Sequence, residues 1–333
     1  MKKLNIAIIG ATGLVGSTML KILEERNYPI NNLFLFSSKK SAGCIVKFKG
    51  KEYIVEELEE ESFNRDIDIA LFAAGGTVSK KFAPYAVEKG IQVIDNSSVF
   101  RMDKDIPLIV PEVNPDDIKA NKGIIANPNC STIQSVLPLK PLYDKYGIKR
   151  VIYSTYQSVS GSGLGGLRDL EEGNIEFYPY PIQYNVFPHI DEFLENGYTK
   201  EEMKMIEETK KILKDNNIRV TATTVRVPVK YSHSVSINIE LEKPFNLEEI
   251  KKDLKEFNGI VVMDDIKNNI FPMAIDVEGK DEVYVGRIRR DYSLDNGLNI
   301  WVVADNIRKG AATNAVQIAE LVAEKLYRRK EKC

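Results

Sequence analysis

Cysteine, histidine and tryptophan are scarce in this chain of 333 residues, which carries three, two and one of them. The thiols at Cys44, Cys130 and Cys333 are widely spaced and form no CxxC pair, which argues against a disulfide framework and a zinc site; no metal is expected. Long hydrophobic runs are also missing. None approaches the roughly 20 apolar residues that cross a bilayer, so no membrane partner is expected. The opening segment MKKLNIAIIG enters an apolar strand without a signal-peptide cleavage site, which points to the cytoplasm. Charge of one sign is lacking too: 46 basic against 48 acidic residues leave a net charge of -2, and nucleic acid is therefore not an expected partner. There is no internal repeat or low-complexity stretch.

What remains is an ordinary globular composition, 43% hydrophobic and 28% charged, long enough for two domains. Short apolar runs at 5–9, 33–36, 67–73, 91–94 and 123–126 alternate with helical patterns, notably 78–89. This texture predicts a parallel sheet of Rossmann type. Beyond Cys130 the runs lengthen and alternate with polar residues, at 150–158, 219–229, 232–241, 281–291 and 298–304. These predict an α+β domain with a mixed, largely antiparallel sheet, covered by helices near 200–215 and 247–257. The expected division is a cofactor domain over 1–130, completed by a C-terminal helix at 311–330, and a second domain over 131–310.

Gly10, Gly13 and Gly16 form GxxGxxG between the first strand and helix. Missing side chains there let the backbone approach a pyrophosphate at the helix N-terminus, although such a turn also serves merely to pack helix on strand. After the second strand an NAD site would place an acid for the ribose 2′-hydroxyl. Here stand Ser37, Ser38, Lys39, Lys40 and Ser41, which suit a 2′-phosphate; a solvated loop is the plainer alternative. NADP is the expected cofactor.

Cys130 lies in Asn127-Pro128-Asn129-Cys130-Ser131-Thr132, where a strand gives way to a helix. Backbone N–H groups and the helix dipole favour a thiolate there and could hold an oxyanion; a buried structural cysteine is the commoner reading of such a residue in isolation. The segment NPNCSTIQ, with the GATGLVG turn, TYQSVSG at 155–161, RVPVKYSHS at 226–234 and RKGAATNAVQIAE at 308–320, resembles the aspartate-semialdehyde dehydrogenase family. The resemblance runs almost end to end.

That resemblance implies NADP-dependent reduction of L-aspartyl 4-phosphate to L-aspartate 4-semialdehyde and phosphate, on the route to lysine, threonine and methionine. It makes Cys130 the acyl-carrying nucleophile, Gln157 an orienting group and His233 the general acid/base. Arg226 would bind the substrate carboxylate, Glu201 the amine, and Arg101 and Lys204 the phosphate, with Asn129 beside the substrate. Cofactor contacts are implied at Gly10, Thr12, Gly13, Leu14 and Val15, at Ser37, Ser38, Lys40 and Ser41, and at Gly161, Asn314 and Gln317. A homodimer or homotetramer is implied, the exposed sheet face of the second domain being its natural seam.

The same roles follow from chemistry, since an acyl phosphate needs a soft nucleophile, a hydride donor and a proton source. On one continuous strand Arg226 and His233 would face oppositely, so the chain must break between them near Pro228 and 230–232. The family usually has Gly or Cys before this histidine, where this chain has Ser232. Bland readings stand beside the sharp ones: a structural histidine at His233, a solvated ion pair in the Glu201–Lys204 helix turn, and a surface or interface cluster at Arg287, Arg289 and Arg290. His189 reads as structural, Cys44 as incidental and Cys333 as a loose chain end. Two alternatives remain. N-acetyl-glutamyl-phosphate reductase, which typically has an NPGCY-like segment, would need room for an acetyl group near Glu201. A non-catalytic nucleotide-binding relative should have lost the thiol, imidazole or guanidinium.

Overall fold

The computed structural model describes residues 3–330; Cys333 lies outside them. The chain forms two compact units, one running to Pro128 and resuming at Ala311, the other Asn129–Gly310.

In the first unit the chain runs β1 (Leu4–Ile9), α1 (Leu14–Glu25), β2 (Ile30–Ser37), β3 (Ile45–Phe48), β4 (Lys51–Ile54) and β5 (Glu56–Glu57). It continues through β6 (Ile69–Phe72), α2 (Gly76–Glu88), β7 (Gln92–Asp95) and β8 (Ile124–Ala126). Six strands make one sheet in the order β5-β2-β1-β6-β7-β8, parallel throughout. Every residue of β1 is buried, as expected for a parallel sheet covered on both faces. Alternate side chains serve alternate cores. Ile6 and Ile8 join α1 on one side, while Ala7 and Ile9 join α2 on the other. Chain order reverses between β1 and β6, and it is at such a switch point that open α/β sheets bind ligands. β3 and β4 form a separate hairpin.

The second unit opens with α3 (Cys130–Tyr146), β9 (Ile148–Gln157), α4 (Gly163–Glu172) and α5 (Lys200–Leu213). Then come β10 (Arg219–Arg226), β11 (His233–Leu241), α6 (Leu247–Glu256), β12 (Ile260–Val262), α7 (Ala274–Val277), β13 (Val283–Asp291) and β14 (Gly297–Ala304). The sheet order is β10-β9-β11-β14-β13-β12. Its centre is antiparallel, from β9 through β11 and β14 to β13, and its edge strands β10 and β12 run parallel to their neighbours. The mixed sheet predicted from the polar alternation is therefore present. Helices α3, α5 and α6 pack on it. The opposite face bears Tyr156 and Trp301, whose rings lie 5.4 Å apart. With Ser234, Ser236, Phe271, Pro272, Met273, Arg287 and Arg289 they border a surface hollow of about 450 Å³.

Helix α8 (Thr313–Lys330) returns the chain to the first unit. Ala315, Val316, Ala319 and Val322 join the α1 core, and Arg26 holds Glu320 through two hydrogen bonds of 2.8 Å.

The expected strands over 219–229 and 232–241 both proved too long. β10 stops at Arg226 and β11 starts at His233. Between them Ser232 adopts φ 69°, a left-handed conformation that costs an L-residue about 1 kcal/mol. At the arginine cluster the β13–β14 register shifts between Gly286 and Arg289, and Arg287 takes φ 52°.

Candidate active site

Gly10 follows β1 with φ 88°, and a Cβ there would stand 2.6 Å from the Ala73 carbonyl oxygen, so only glycine lets the ends of β1 and β6 approach. A Cβ on Gly16 would collide with the Gly10 carbonyl. Gly13 caps α1 without a side-chain bond, and no acid stands in the first turn, leaving the N-terminus suited to an anion. Leu14 and Val15, half-buried, begin that helix.

Gly10, Thr12, Gly13, Ser37, Ser38 and Ser41 border a cavity of about 460 Å³, and the Thr12 and Ser37 hydroxyls are hydrogen-bonded at 2.9 Å. Glycine cradle, helix end and hydroxyl rim fit a dinucleotide phosphate. Two details differ from expectation. Lys39 borders the cavity, whereas the exposed Lys40 does not, because a 3-10 turn over Lys39–Ser41 rotates the two apart. Glu57 of β5 also reaches the rim; it escaped sequence reading because its pairing with Ser37 bridges a hairpin.

Three further candidates lie in this unit. The buried Arg101 donates from Nε to the Asn127 carbonyl (2.9 Å) and from Nη2 to the Asn96 carbonyl (2.8 Å). Asn314 is buried and donates to the Ile109 carbonyl (2.9 Å) and to Asn127 Oδ1 (2.7 Å). Gln317 donates to Glu112 at 2.8 Å. Neither Asn314 nor Gln317 is among the residues bordering the cavity.

In the second unit α3 begins at Cys130 itself. Asn129 caps it: its Oδ1 accepts from the N–H groups of Ser131 (3.0 Å) and Thr132 (3.2 Å). Cys130 is half-buried and Cys44 exposed, and neither forms a disulfide. A Cβ on Gly310 would come within 2.9 Å of Cys130 Cβ, so glycine is required against the thiol-bearing residue.

Glu201 gathers the polar groups nearby. Its Oε1 accepts from Asn129 Nδ2 (2.8 Å) and Gln157 Nε2 (3.1 Å), and its Oε2 from Lys204 (3.2 Å). Burial alone would raise its pKa, but the Lys204 charge and the hydrogen bonds from Asn129 and Gln157 outweigh burial and keep it below the ordinary carboxylate value. The predicted helix-face pair is thus real but not a solvated one, since the Glu201 side chain is only 7% exposed. Lys204 also holds Asp191 at 2.7 Å. Sequence reading missed Glu208, which lies about two turns after Glu201 and accepts from the Asn129 N–H at 2.7 Å. That spacing was the available signal.

Arg226 and His233 are both buried, and the turn after β9 packs against them: a Cβ on Gly161 would stand 3.1 Å from Arg226 Nη1 and 3.3 Å from His233 Nε2. Arg226 donates to the Ser158 carbonyl at 2.6 Å. His233 Nδ1 receives the Ser158 N–H at 3.0 Å, and its Nε2 is buried without a partner. Burial, and then the Arg226 charge, push its pKa well below the usual imidazole value. A buried neutral imidazole with a bare nitrogen beside a guanidinium is equipped to exchange a proton with a bound anion. His189, by contrast, is exposed and stacks on Phe193.

Known proteins share this arrangement of chain. Residues 5–121 match the NAD binding domain of semialdehyde dehydrogenase, and residues 139–309 match its dimerisation domain. Aspartate-semialdehyde dehydrogenase of Aquifex aeolicus is 56% identical, covering 96% of this chain and 98% of its own. The crystal structure of aspartate semialdehyde dehydrogenase II of Vibrio cholerae complexed with ASA is 48% identical with a TM-score of 0.94, covering 97% of this chain and 99% of that one. The Candida albicans enzyme, crystallised with NADP, is 27% identical with a TM-score of 0.78, covering 97% and 99%. With likeness of this extent across both units, the chain belongs to the aspartate-semialdehyde dehydrogenase family.

Proposed function

We propose that this cytoplasmic enzyme reduces L-aspartyl 4-phosphate to L-aspartate 4-semialdehyde and phosphate with NADPH, a step toward lysine, threonine and methionine. The unit bearing the glycine turn holds the cofactor, and Asn129–Gly310 carries catalysis and dimerisation. The observation that carries the reading is the buried His233, its Nε2 bare beside Arg226.

Cys130 attacks the acyl phosphate carbonyl, expelling phosphate and leaving a thioester, at the positive end of the α3 dipole. Gln157, fixed by Thr155 (3.0 Å) and Glu201 (3.1 Å), orients the acyl group. Bound NADPH supplies the hydride that reduces the thioester. His233, carrying the proton it takes as the Cys130 thiol ionises, gives it to the resulting oxyanion and takes it back as the thiohemiacetal collapses to aldehyde and thiolate. Arg226 binds the substrate carboxylate and the ionised Glu201 its ammonium, while Arg101 and Lys204 hold the phosphate, which competes with Asp191 for Lys204. A Glu201 kept charged suits a free amine and disfavours the N-acetyl substrate of the alternative reductase.

The hydroxyl rim and Lys39 support NADP; Glu57 opposes the 2′-phosphate and makes the preference modest. Thr12, Ser37, Ser38 and Ser41 are the proposed contacts, with Lys40 acting only through its charge.

Phosphate-dependent reduction of NADP by aspartate semialdehyde tests the reading. The parent enzyme should produce NADPH, and Cys130→Ala should retain less than about 1% of its activity; activity above that level rejects the covalent route. We propose further that two copies pair through the sheet face around Tyr156 and Trp301, and that dimers of dimers account for any tetramer. Light scattering at micromolar concentration should give at least twice the mass of one chain, and a monomer mass rejects the pairing.

A further inference from the structure

His233 touches Ser158 twice at Nδ1, receiving its backbone N–H at 3.0 Å and lying 3.0 Å from its hydroxyl. These two contacts pull in opposite directions. The N–H can only donate, so it favours the neutral ring protonated at Nε2. A hydroxyl oxygen that accepts would favour a proton on Nδ1, and only that tautomer has a lone pair at Nε2 with which to take a proton. Which way the Ser158 hydroxyl points therefore decides whether His233 can act as a base.

Asn306, in the segment after β14, offers the acceptor that draws the Ser158 proton away from the ring. The Ser232 N–H donates to its Oδ1 at 3.0 Å, which fixes the orientation of the amide. Its Nδ2 then donates to Ser160 Oγ (3.0 Å), its Oδ1 accepts from Ser158 Oγ (3.0 Å), and the Ser160 hydroxyl is shared between Asn306 Oδ1 (3.2 Å) and Ser158 Oγ (3.1 Å). This arrangement uses the Ser158 proton and leaves an oxygen lone pair toward the imidazole. All four residues are at most 2% exposed. The segment is itself pinned, since the Asp305 carboxylate accepts from the N–H groups of Ile307 (2.9 Å), Arg308 (3.0 Å) and Gly279 (2.8 Å).

We propose that Asn306 is a positioning residue that turns the Ser158 hydroxyl so that its lone pair meets His233 Nδ1, which allows Nε2 to take up and release the proton of the reaction. The proposal rests on the acid/base reading of His233. In the step concerned, the thiohemiacetal hydroxyl passes its proton to Nε2, the imidazolium keeps its Nδ1 proton on Ser158 Oγ, and the electron pair left on oxygen forms the aldehyde carbonyl as the C–S bond breaks.

The charged group bearing on the ring is Arg226 of β10. Gln134 of α3, whose Nε2 donates to the His233 carbonyl (3.1 Å), and the turn with Ser158 and Gly161 present neutral groups, as does Asn306. Cys130 is the other titratable group of the reaction. Next to Asn306 the Asp305 carboxylate is held by the N–H groups of Ile307, Arg308 and Gly279, so replacing the amide by a carboxylate adds a second negative charge to this segment.

The test uses the full-length 15N-labelled enzyme. It has two histidines, so His189→Gln assigns the ring signals of His233 by difference. The parent should show a share of the Nδ1-protonated tautomer near neutral pH. Asn306→Leu should fix the proton on Nε2 and lower kcat by about a hundredfold with KM for aspartate semialdehyde unchanged. Asn306→Asp keeps the acceptor, and should recover the Nδ1-protonated share and move the acid limb of kcat upward by about one pH unit or more. Ser158→Ala removes the hydroxyl but keeps the backbone N–H, and should reproduce the Asn306→Leu spectrum. Parent-like ring signals in folded Asn306→Leu or in Ser158→Ala overturn the proposal, as does an acid limb that ignores Asn306→Asp. Full activity in His233→Ala would instead sink the acid/base reading, and the ring spectra would still report on Asn306.

Discussion

The cofactor cavity and the Cys130 region solve recognition in opposite ways. Around Gly10 the chain works by omission: side chains are missing, a helix end is left without a capping side chain, and the rim carries hydroxyls and Lys39. Around Glu201 and His233 it works by commitment, with buried polar atoms tied to named partners over long sequence separations. A nucleotide held largely through phosphate needs shape and diffuse charge, and tolerates change in any single side chain. A proton transfer and a carboxylate clamp need fixed geometry. Substitutions of equal chemical size should therefore hurt far more in the second region.

Arg226→Lys is the strongest test of that contrast among charge-conserving changes. It removes a bidentate fork and the bond to the Ser158 carbonyl, and kcat/KM should fall by about 2 kcal/mol or more in transition-state stabilisation; an unchanged kcat/KM would mean that Arg226 does not clamp the substrate. Lys39→Glu should act more gently. The ratio of efficiencies for NADP and NAD should drop roughly tenfold, shrinking as salt rises. Lys40→Glu should move it less. A larger response at Lys40 than at Lys39 would show that the 2′-phosphate lies outside the cavity bordered by Gly10 and Ser37. The smallest effect is expected at Ser232, whose φ of 69° suits glycine and whose buried hydroxyl has no partner. Ser232→Gly should raise stability by about 0.5 to 1 kcal/mol in denaturant unfolding, while leaving the Asn306 bond to the backbone N–H in place. Destabilisation would mean that the turn holds its shape through the side chain.

The same contrast governs what the sequence revealed. Gly10, Gly13 and the strand before them are local features, and Cys130 is marked by its own neighbours; both were legible. The break between Arg226 and His233 followed from alternation alone. The β3–β4 hairpin was hidden because its turn, Lys49-Gly50, puts a lysine at φ 48° where Asn or Asp is the usual signal. Helix α4 was hidden by its run of glycines, Gly163, Gly165 and Gly166. Glu57 and Asn306 acquire their positions only when distant segments meet, and no local pattern marks them.

Trp301 stands alone as the chain's one tryptophan, half-buried on the sheet face opposite α3, α5 and α6, its indole N–H given to the Pro272 carbonyl at 3.0 Å and its ring tilted against Tyr156. Indole emission from this protein therefore has a single origin. The colour and intensity of that light report the polarity of one patch of surface, without labels or mutation, and dilution through the assembly constant should shift the spectrum while the glycine-lined cavity stays optically silent.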